Sequence, residues 1–361
     1  MNDELKYHLG FNKVMGIGPA RIVALRDYFG SLEQAWQASA ADLHALHLPS
    51  RAVDNLLAAR AKLDLDAEME KAVRLGVTLI SWDDPTYPAR LKEIAAAPPL
   101  LYVRGEITLE DEWAVGIVGT RGVTAYGREA TSQRAAGLAA SGVTVVSGMA
   151  RGVDAVAHKA TLDVGGRTIA VLGCGVDIIY PPEHRGLAER IIANGALVSD
   201  YPIGTKPDAV NFPPRNRIIS GLSLGIIVVE AGLKSGALIT KDFALEQGRE
   251  VFAVPGSIFS AQSAGPNDLL LQGARPITKA ADVLEQLHLT QAEEQQEVRS
   301  FIPSDDVEAA LLRVLSREPL HLDDITNEAG LPAHQVSAAL VMMELKGMAR
   351  QAGPGLYVLA R

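Results

Sequence analysis

The chain has 361 residues, of which 48% are hydrophobic, 21% are charged and 5% are aromatic. This length and composition are typical of a globular protein with two or three domains, and no apolar run is long enough to span a bilayer. The formal net charge of −9 excludes a broad basic surface that coats duplex DNA, so any nucleic acid must bind at a local site.

The start of the chain lacks the basic and apolar regions of a signal peptide. A single cysteine, Cys174, excludes an intrachain disulfide framework and a thiolate-rich zinc site. We therefore expect a cytoplasmic protein that has no membrane segment and no bound metal.

Residues 1–80 have apolar side chains at helical spacing and little strand signal, which predicts a small helical domain. The segment 14–19, Val-Met-Gly-Ile-Gly-Pro, lies between two helical patterns, and its proline suits the first turn of a helix. Such a hairpin resembles the helix-hairpin-helix and sterile-alpha-motif-like (SAM-like) modules, whose glycine turn can offer N–H groups to a phosphate. A plain corner between two helices explains the same residues, and the pattern favours that simpler interpretation.

From residue 81 onward short apolar strands alternate with helices. Prolines mark an extended connection over residues 80–100 that leads into a strand at 100–103. Further strands are predicted at 114–118, 143–146, 168–172, 196–199, 225–230 and 250–254, with helices at 127–140, 154–162, 184–194 and 238–247. Continuous apolar strands are typical of a parallel sheet that is buried on both faces. For residues 81–287 we therefore predict an α/β fold, an extended Rossmann-like, doubly wound parallel sheet.

The C-terminal part of the chain has a different pattern. Residues 288–304 are polar, and we interpret them as a linker. Residues 305–361 have three helical patterns followed by a Gly-Pro-Gly turn and a short strand, which suggests a winged-helix domain. Residues 301–361 carry 5 basic and 8 acidic side chains, so this segment is poorly suited to hold phosphates by charge alone.

The residues that follow the predicted strands form a repeated pattern of glycines with basic residues nearby. Ligands of open parallel sheets bind beyond the carboxyl ends of the strands. Glycines let the backbone approach an anion, and helix N-termini direct N–H groups toward it. The pattern therefore predicts an anion pocket at this edge of the sheet. Its candidate residues are Gly119, Thr120, Arg121, Gly122, Ser147, Gly148, Met149, Arg151, Gly152, Arg215, Arg217, Lys234, Ser235 and Gly236.

Common nucleotide motifs are missing from the sequence. Residues 116–122 lack the G-x-G-x-x-G spacing, and the P-loop pattern G-x-x-x-x-G-K-[ST] does not occur. We therefore expect neither a nicotinamide nor any other cofactor, and no ATP hydrolysis. Cys174 is interpreted as a small residue that fills a turn. Asp154 and His158 are interpreted as capping and packing residues of the helix that they share.

Six segments, taken in order, resemble the DprA (Smf) family of DNA-processing proteins of bacterial natural transformation. They include Ser-Gly-Met-Ala-Arg-Gly-Val-Asp at 147–154, Phe-Pro-Pro-Arg-Asn-Arg-Ile-Ile at 212–219 and Gly-Arg-Glu-Val-Phe-Ala-Val-Pro-Gly at 248–256. At position 120 threonine stands where the family usually has serine. The resemblance covers nearly the whole chain and implies a SAM-like head, an extended Rossmann core and a winged-helix tail.

The resemblance also implies a function. Such a protein binds incoming single-stranded DNA without sequence preference, protects it, and helps to load RecA onto it during natural transformation or homologous recombination. It acts as a homodimer through the Rossmann core, and no catalytic turnover is implied.

By the same resemblance, residues of the pocket receive individual roles. Arg121 with the turn at 119–122 and the loop at 147–152 would hold backbone phosphates. Phe212 would offer a stacking face for a base. Further contacts are expected from Arg215, Asn216 and Arg217 and, at the rim, from Lys206 and Lys234.

Two other functions compete with this one. Related Rossmann proteins include phosphoribohydrolases with a P-G-G-x-G-T-x-x-E motif; here Glu230 precedes the corresponding glycine turn, and the motif is missing. A transcription regulator would use the winged helix, but its expected recognition segment, 332–346, has one histidine, one lysine and no arginine. Nucleotide hydrolysis would favour the first alternative, and duplex-specific binding would favour the second.

Overall fold

The computed structural model describes residues 4–289, 306–316, 319–345, 348–353 and 355–359. The chain divides into two units, residues 1–287 and 288–361. Among the described residues, no helix is both long enough and apolar enough to cross a membrane.

The first unit contains fourteen α-helices and nine strands among its described residues. The helices are α1 (Glu4–Asn12), α2 (Pro19–Phe29), α3 (Leu32–Gln37), α4 (Ala40–Ala45), α5 (Ser50–Arg60), α6 (Leu65–Arg74), α7 (Ala89–Lys92), α8 (Ala125–Ala140), α9 (Val153–Asp163), α10 (Arg185–Ala193), α11 (Phe212–Leu222), α12 (Ala237–Glu246), α13 (Ala264–Leu271) and α14 (Ala280–Gln286). The strands are β1 (Thr78–Ser81), β2 (Leu100–Gly105), β3 (Ala114–Val118), β4 (Thr144–Ser147), β5 (Thr168–Val171), β6 (Gly195–Ser199), β7 (Gly225–Val228), β8 (Glu250–Ala253) and β9 (Arg275–Pro276).

All nine strands belong to one sheet, in the order β1-β2-β6-β5-β4-β3-β7-β8-β9. The β1–β2 and β2–β6 pairs are antiparallel, and every other pair is parallel. From β3 the strand order runs outward to β6 on one side, and β7 and β8 follow on the other side. This is the predicted Rossmann-like, doubly wound α/β fold, and its strand order reverses between β3 and β7.

The burial of these strands on both faces explains why their apolar sequences predicted them. All five residues of β3 and all five of β6 are buried, as a sheet covered by helices on both faces requires. The predicted strands from 114 to 254 coincide with β3 to β8 apart from their ends, and four predicted helices coincide with α8, α9, α10 and α12.

Two segments differ from the sequence-based expectation. The connection over residues 80–100 contains the short helix α7, and β1 pairs with β2 at the edge of the sheet, so the expected boundary at residue 80 lies within a strand. Side chains of the helical head, such as Phe11 and Leu25, share one hydrophobic core with Leu91 and Leu101. The domain limits at 80 and 287 stay a prediction.

The second difference is helix α11, which spans residues 212–222, where no helix was predicted. Pro213 and Pro214 lie in its first turn, where a missing N–H group breaks no hydrogen bond. Ile218, Ile219 and Leu222 are buried and hold the helix against the sheet.

In the described part of the second unit three helices precede a hairpin, as the winged-helix prediction required. The elements are α15 (Asp306–Val314), β10 (Leu320–His321), α16 (Leu322–Ala329), α17 (Ala333–Leu345), β11 (Ala349–Gly353) and β12 (Leu356–Leu359). The sheet order is β10-β12-β11, with both pairs antiparallel. Leu311, Ile325, Val336 and Leu340 form the core of this unit. The predicted linker, 288–304, lies outside the described residues except at its first two positions.

Candidate functional site

A cavity of about 580 Å³ opens at the carboxyl ends of β3 and β7, where the strand order reverses. Open α/β sheets bind their ligands at this point. Its walls come from the loops after β3, β4 and β7 and from the start of α11 and α12. The lining residues are Val118, Gly119, Arg121, Ala150, Asp154, Tyr180, Pro207, Ala209, Phe212, Pro213, Arg215, Asn216, Ile219, Ser235, Gly236, Ala237, Ile239 and Thr240.

Arg121 and Phe212 lie together in the cavity wall. The guanidinium carbon of Arg121 is 5.8 Å from the centroid of the Phe212 ring, within the range of a cation–π contact. The ring of Tyr180 lies 5.7 Å from the Phe212 ring at an interplanar angle of 31°. Arg121 is exposed and Phe212 is half-buried. An exposed cation beside aromatic faces can bind a phosphate and the base next to it.

Arg215 has a different environment, because its side chain is only 5% exposed. Its Nη1 donates hydrogen bonds to the backbone carbonyls of Gly148, at 2.9 Å, and of Val171. Burial lowers the pKa of this guanidinium, and the nearby carboxylate of Asp154 opposes that shift. Arg215 therefore connects α11 to the ends of β4 and β5 and positions the loop that follows β4.

The loop between β4 and α9 is organised by Asp154. Its Oδ2 accepts hydrogen bonds from the backbone N–H groups of Gly148 and Ala150, both at 3.2 Å. Burial raises the pKa of Asp154, while the charge of Arg215 and these hydrogen bonds oppose the shift. Asp154 thus orients the preceding loop. The predicted capping role is wrong, because the N-cap residue of α9 is Gly152 and no side chain caps this helix.

The backbone of this loop requires a glycine at position 152. Its φ is +80°, and a Cβ atom there would lie 2.2 Å from the carbonyl oxygen of Thr120. The loops after β3 and β4 are therefore in direct backbone contact, and the N–H group of Val153 donates to the same carbonyl at 3.2 Å.

Glu230 organises the loop between β3 and α8. The N–H group of Thr120 donates to the backbone carbonyl of Glu230 at 2.6 Å. The Glu230 carboxylate accepts from the N–H group of Thr124 at 2.9 Å and from its hydroxyl at 2.5 Å. Glu230 had no predicted role, and its signal in the sequence is an acidic residue at the end of an apolar strand.

Some of the predicted site residues line the cavity, and others are not among its lining residues. Those that line it are Gly119, Arg121, Phe212, Arg215, Asn216, Ser235 and Gly236. Those that do not are Thr120, Gly122, Ser147, Gly148, Met149, Arg151, Gly152, Lys206, Arg217 and Lys234. Most of the second group belong to the loops that form the walls.

Two of the predicted arginines are engaged elsewhere. Arg217 forms an ion pair with Asp200 at 2.7 Å and donates from Nε to the carbonyl of Ala96 at 2.9 Å. Arg151 is exposed and forms an ion pair with Glu183 at 2.5 Å.

Lys206 and Lys234 are exposed next to the lining residues Pro207 and Ser235, which places them near the rim of the cavity. Arg121 is therefore the exposed guanidinium that lines the cavity itself.

Groups with potential chemistry near the cavity are buried in structural positions. Burial raises the pKa of Cys174 to about 11, and its thiol contacts the carbonyl of Ile178 at 3.2 Å. His158 is buried with Nδ1 2.7 Å from the hydroxyl of Thr168, and burial lowers its pKa to about 3. Within the described ranges, no cluster of three or more His, Cys, Asp or Glu side chains could hold a metal ion.

The chain matches two family profiles. Residues 78–288 match DNA recombination-mediator protein A, and residues 295–355 match the DprA winged helix domain. Protein Smf from Synechocystis is 36% identical over 392 residues, which cover 98% of both chains. DNA processing protein DprA from Bacillus subtilis is 42% identical over 242 residues, covering 65% of this chain and 82% of the relative.

Solved structures agree with these matches. The X-ray structure of DNA processing protein A from Streptococcus pneumoniae is 34% identical, with a TM-score of 0.68, and covers 79% of this chain and 98% of that chain. DNA processing protein A from Helicobacter pylori, whose structure is described for its single-stranded DNA binding mode, is 30% identical with a TM-score of 0.54 and covers 60% and 98%. These relatives are named as DNA processing proteins. The chain therefore belongs to the DprA/Smf family of DNA processing proteins.

Proposed function

We propose that this protein binds single-stranded DNA, without sequence preference, in the cavity at the ends of β3 and β7. It protects the strand and helps to load RecA onto it during natural transformation or homologous recombination. The observation that carries the proposal is the pairing of the exposed Arg121 with the aromatic face of Phe212 at the point where the strand order reverses. The single-stranded DNA binding mode of the Helicobacter pylori relative supports the choice of ligand.

The chemistry of the cavity fits a single strand better than a duplex. Arg121 would bind a backbone phosphate, and a neighbouring base would stack on Phe212, a contact worth about 1–3 kcal/mol. Neither contact depends on which base is present, because every base has an aromatic face. In a duplex the base faces are already stacked on one another, so we expect weak duplex binding.

The remaining parts of the chain have proposed roles as well. The Rossmann core, 81–287, would bind DNA and form the homodimer, while the helical head, 1–80, completes its fold. The winged helix, 305–361, would contact a protein rather than DNA. Val341 and Met342 on α17 are about half exposed, and apolar side chains at this position favour a protein partner over phosphates. We place the protein in the cytoplasm, where RecA acts.

Binding of a fluorescent oligo-dT and of the matching duplex tests the proposal, with wild type, Arg121→Ala and a matched control. We expect Arg121→Ala to reduce oligo-dT affinity on the order of tenfold, because it removes a charge-assisted phosphate contact. Arg190→Ala removes the same charge from the end of α10, where Arg190 pairs with Asp163, and should leave affinity unchanged. Equal binding of duplex, or an unchanged Arg121→Ala, would show that the cavity does not hold the strand.

A further inference from the structure

The carboxylate of Glu230 lies against the first turn of helix α8. Thr124, the N-cap residue of α8, donates both its N–H group and its hydroxyl to this carboxylate. A Cβ atom on Gly127, in the same turn, would lie 2.1 Å from Glu230 Oε2. Glu230 is only 1% exposed, so a buried negative charge fills the space at this helix N-terminus.

The N-terminus of α8 occupies a position that binds phosphates in many Rossmann-like sheets. A helix N-terminus beside the reversal of strand order is where such folds bind the phosphates of nucleotides, because its N–H groups and dipole favour an anion. Helix α8 follows β3, and Glu230 follows β7, the two strands that flank the reversal. In this protein the anion at the N-terminus of α8 is the carboxylate of Glu230.

A second loop at the same edge shows the same arrangement independently. Asp154 takes the N–H groups of Gly148 and Ala150, the backbone donors that a phosphate in the β4–α9 loop would use. Its side chain is 7% exposed. Both loops therefore satisfy their amides with internal carboxylates, and Arg121 is left exposed as a side-chain cation.

We propose that Glu230 is a specificity-determining residue that keeps nucleotide diphosphates and terminal phosphates out of the cavity and leaves it to the phosphodiesters of a polynucleotide. This inference rests on the proposed single-strand binding. A phosphodiester carries one negative charge, whereas a terminal phosphate carries about −1.5 to −2 near neutral pH and is repelled more strongly by a fixed carboxylate. The cavity would therefore bind internal segments of a DNA strand and would not bind free nucleotides.

Competition experiments test this role with two variants of different kinds. Glu230→Gln removes the charge but keeps the volume, and Glu230→Ala also vacates the space. ADP and inorganic pyrophosphate are titrated against fluorescent oligo-dT bound to each protein. We expect almost no displacement from wild type, and competitor affinities that rise on the order of tenfold in Glu230→Gln and further in Glu230→Ala.

Controls separate this proposal from the proposed function. Glu189→Gln, which neutralises an exposed carboxylate on α10, should behave as wild type. Thermal melts identify a misfolded Glu230→Ala, in which case the isosteric Glu230→Gln decides. Wild type that releases oligo-dT to ADP, or variants that bind oligo-dT without gaining competitor affinity, would overturn the role of Glu230. If wild type fails to bind oligo-dT, the proposed function fails instead, and calorimetry of pyrophosphate with the three proteins still measures the effect of Glu230.

Discussion

Arg121 and Arg215 both line the cavity, but only one of them is accessible to a ligand. Arg121 is exposed beside Phe212, whereas Arg215 is buried and donates to the carbonyls of Gly148 and Val171. From the sequence both were assigned to the same anion pocket, because the prolines and the arginine near Arg215 gave no sign that its side chain points inward. Their substitutions should therefore differ in what they damage.

We predict that Arg215→Met lowers the free energy of unfolding by about 3–5 kcal/mol, because it leaves Asp154 buried without its nearby cation and two carbonyls without a donor. Arg121→Ala should change the free energy of unfolding by no more than about 0.5 kcal/mol, as surface substitutions usually do. Urea unfolding of both variants at neutral pH measures the difference. Equal stability of the two would mean that Arg215 does not hold the loop after β4.

His158 predicts a dependence of stability on pH. Burial, with His184 and Arg215 nearby, lowers its pKa from 6.5 to about 3. Between these values the unfolded chain binds a proton that the folded protein does not, so stability falls as the pH falls below 6.5. The loss amounts to about 2 kcal/mol at pH 5.

The free energy of unfolding of His158→Asn at pH 7 and pH 5 measures how much of the loss of stability is due to His158. Asparagine keeps a donor near the hydroxyl of Thr168 but does not titrate, so its stability should change less with pH than that of wild type. The exposed His44 provides the control, because His44→Asn should keep the wild-type pH dependence. His8, whose pKa is also lowered by burial, contributes equally in all three proteins. If the stability of His158→Asn depended on pH as strongly as that of wild type, the role assigned to His158 would be wrong.

At the scale of elements, the loops after β3 and β4 depend on a close backbone approach at Gly152. Gly165 is a matched control, because its φ of +75° is similar to the +80° of Gly152 but no atom lies within 4 Å of its Cβ position. Gly165→Ala should cost only the left-handed strain, about 1–2 kcal/mol. Gly152→Ala adds a clash with the carbonyl of Thr120 and should cost more than about 3 kcal/mol.

Chemical unfolding and oligo-dT binding of the two alanine variants check this prediction. Because the loop after β4 packs against the loop that carries Arg121, Gly152→Ala should also weaken binding, whereas Gly165→Ala should not. Similar unfolding free energies would show that the loops can separate without cost, and the two-loop description of the cavity wall would be wrong.

Elements differ in how much of them the sequence could predict. Strands β3 to β8 were predictable because most of them are nearly continuous apolar runs, and the anion pocket followed from the position of glycines at the strand ends. Helix α11 was not predicted, because its first turn is Phe-Pro-Pro, which is typical of a loop. Its two arginines also interrupt the helical spacing of its apolar residues. Whether a side chain such as Arg217 faces a ligand or an internal partner such as Asp200 depends on tertiary contacts, which no local pattern records.

At the scale of the whole molecule, charge is the main constraint on binding. The net charge of −9 makes the average surface repel nucleic acid, so affinity must come from a few cations concentrated around one cavity. Arg121 in the wall and Lys206 and Lys234 near the rim are exposed. The internal carboxylates of Glu230 and Asp154 reduce the local positive potential further, which limits the number of phosphates that one cavity can neutralise.

This limit predicts a weak dependence of binding on salt. For single strands the logarithm of the affinity falls with the logarithm of salt concentration with a slope of about −0.7 for each phosphate neutralised. Three cations therefore give a slope of about −2 for an oligo-dT short enough to occupy one cavity. Arg121→Ala should make the slope shallower by about 0.7, and Arg190→Ala should not change it. A slope steeper than about −5 would require a basic surface outside the cavity, which the charge of this protein disfavours.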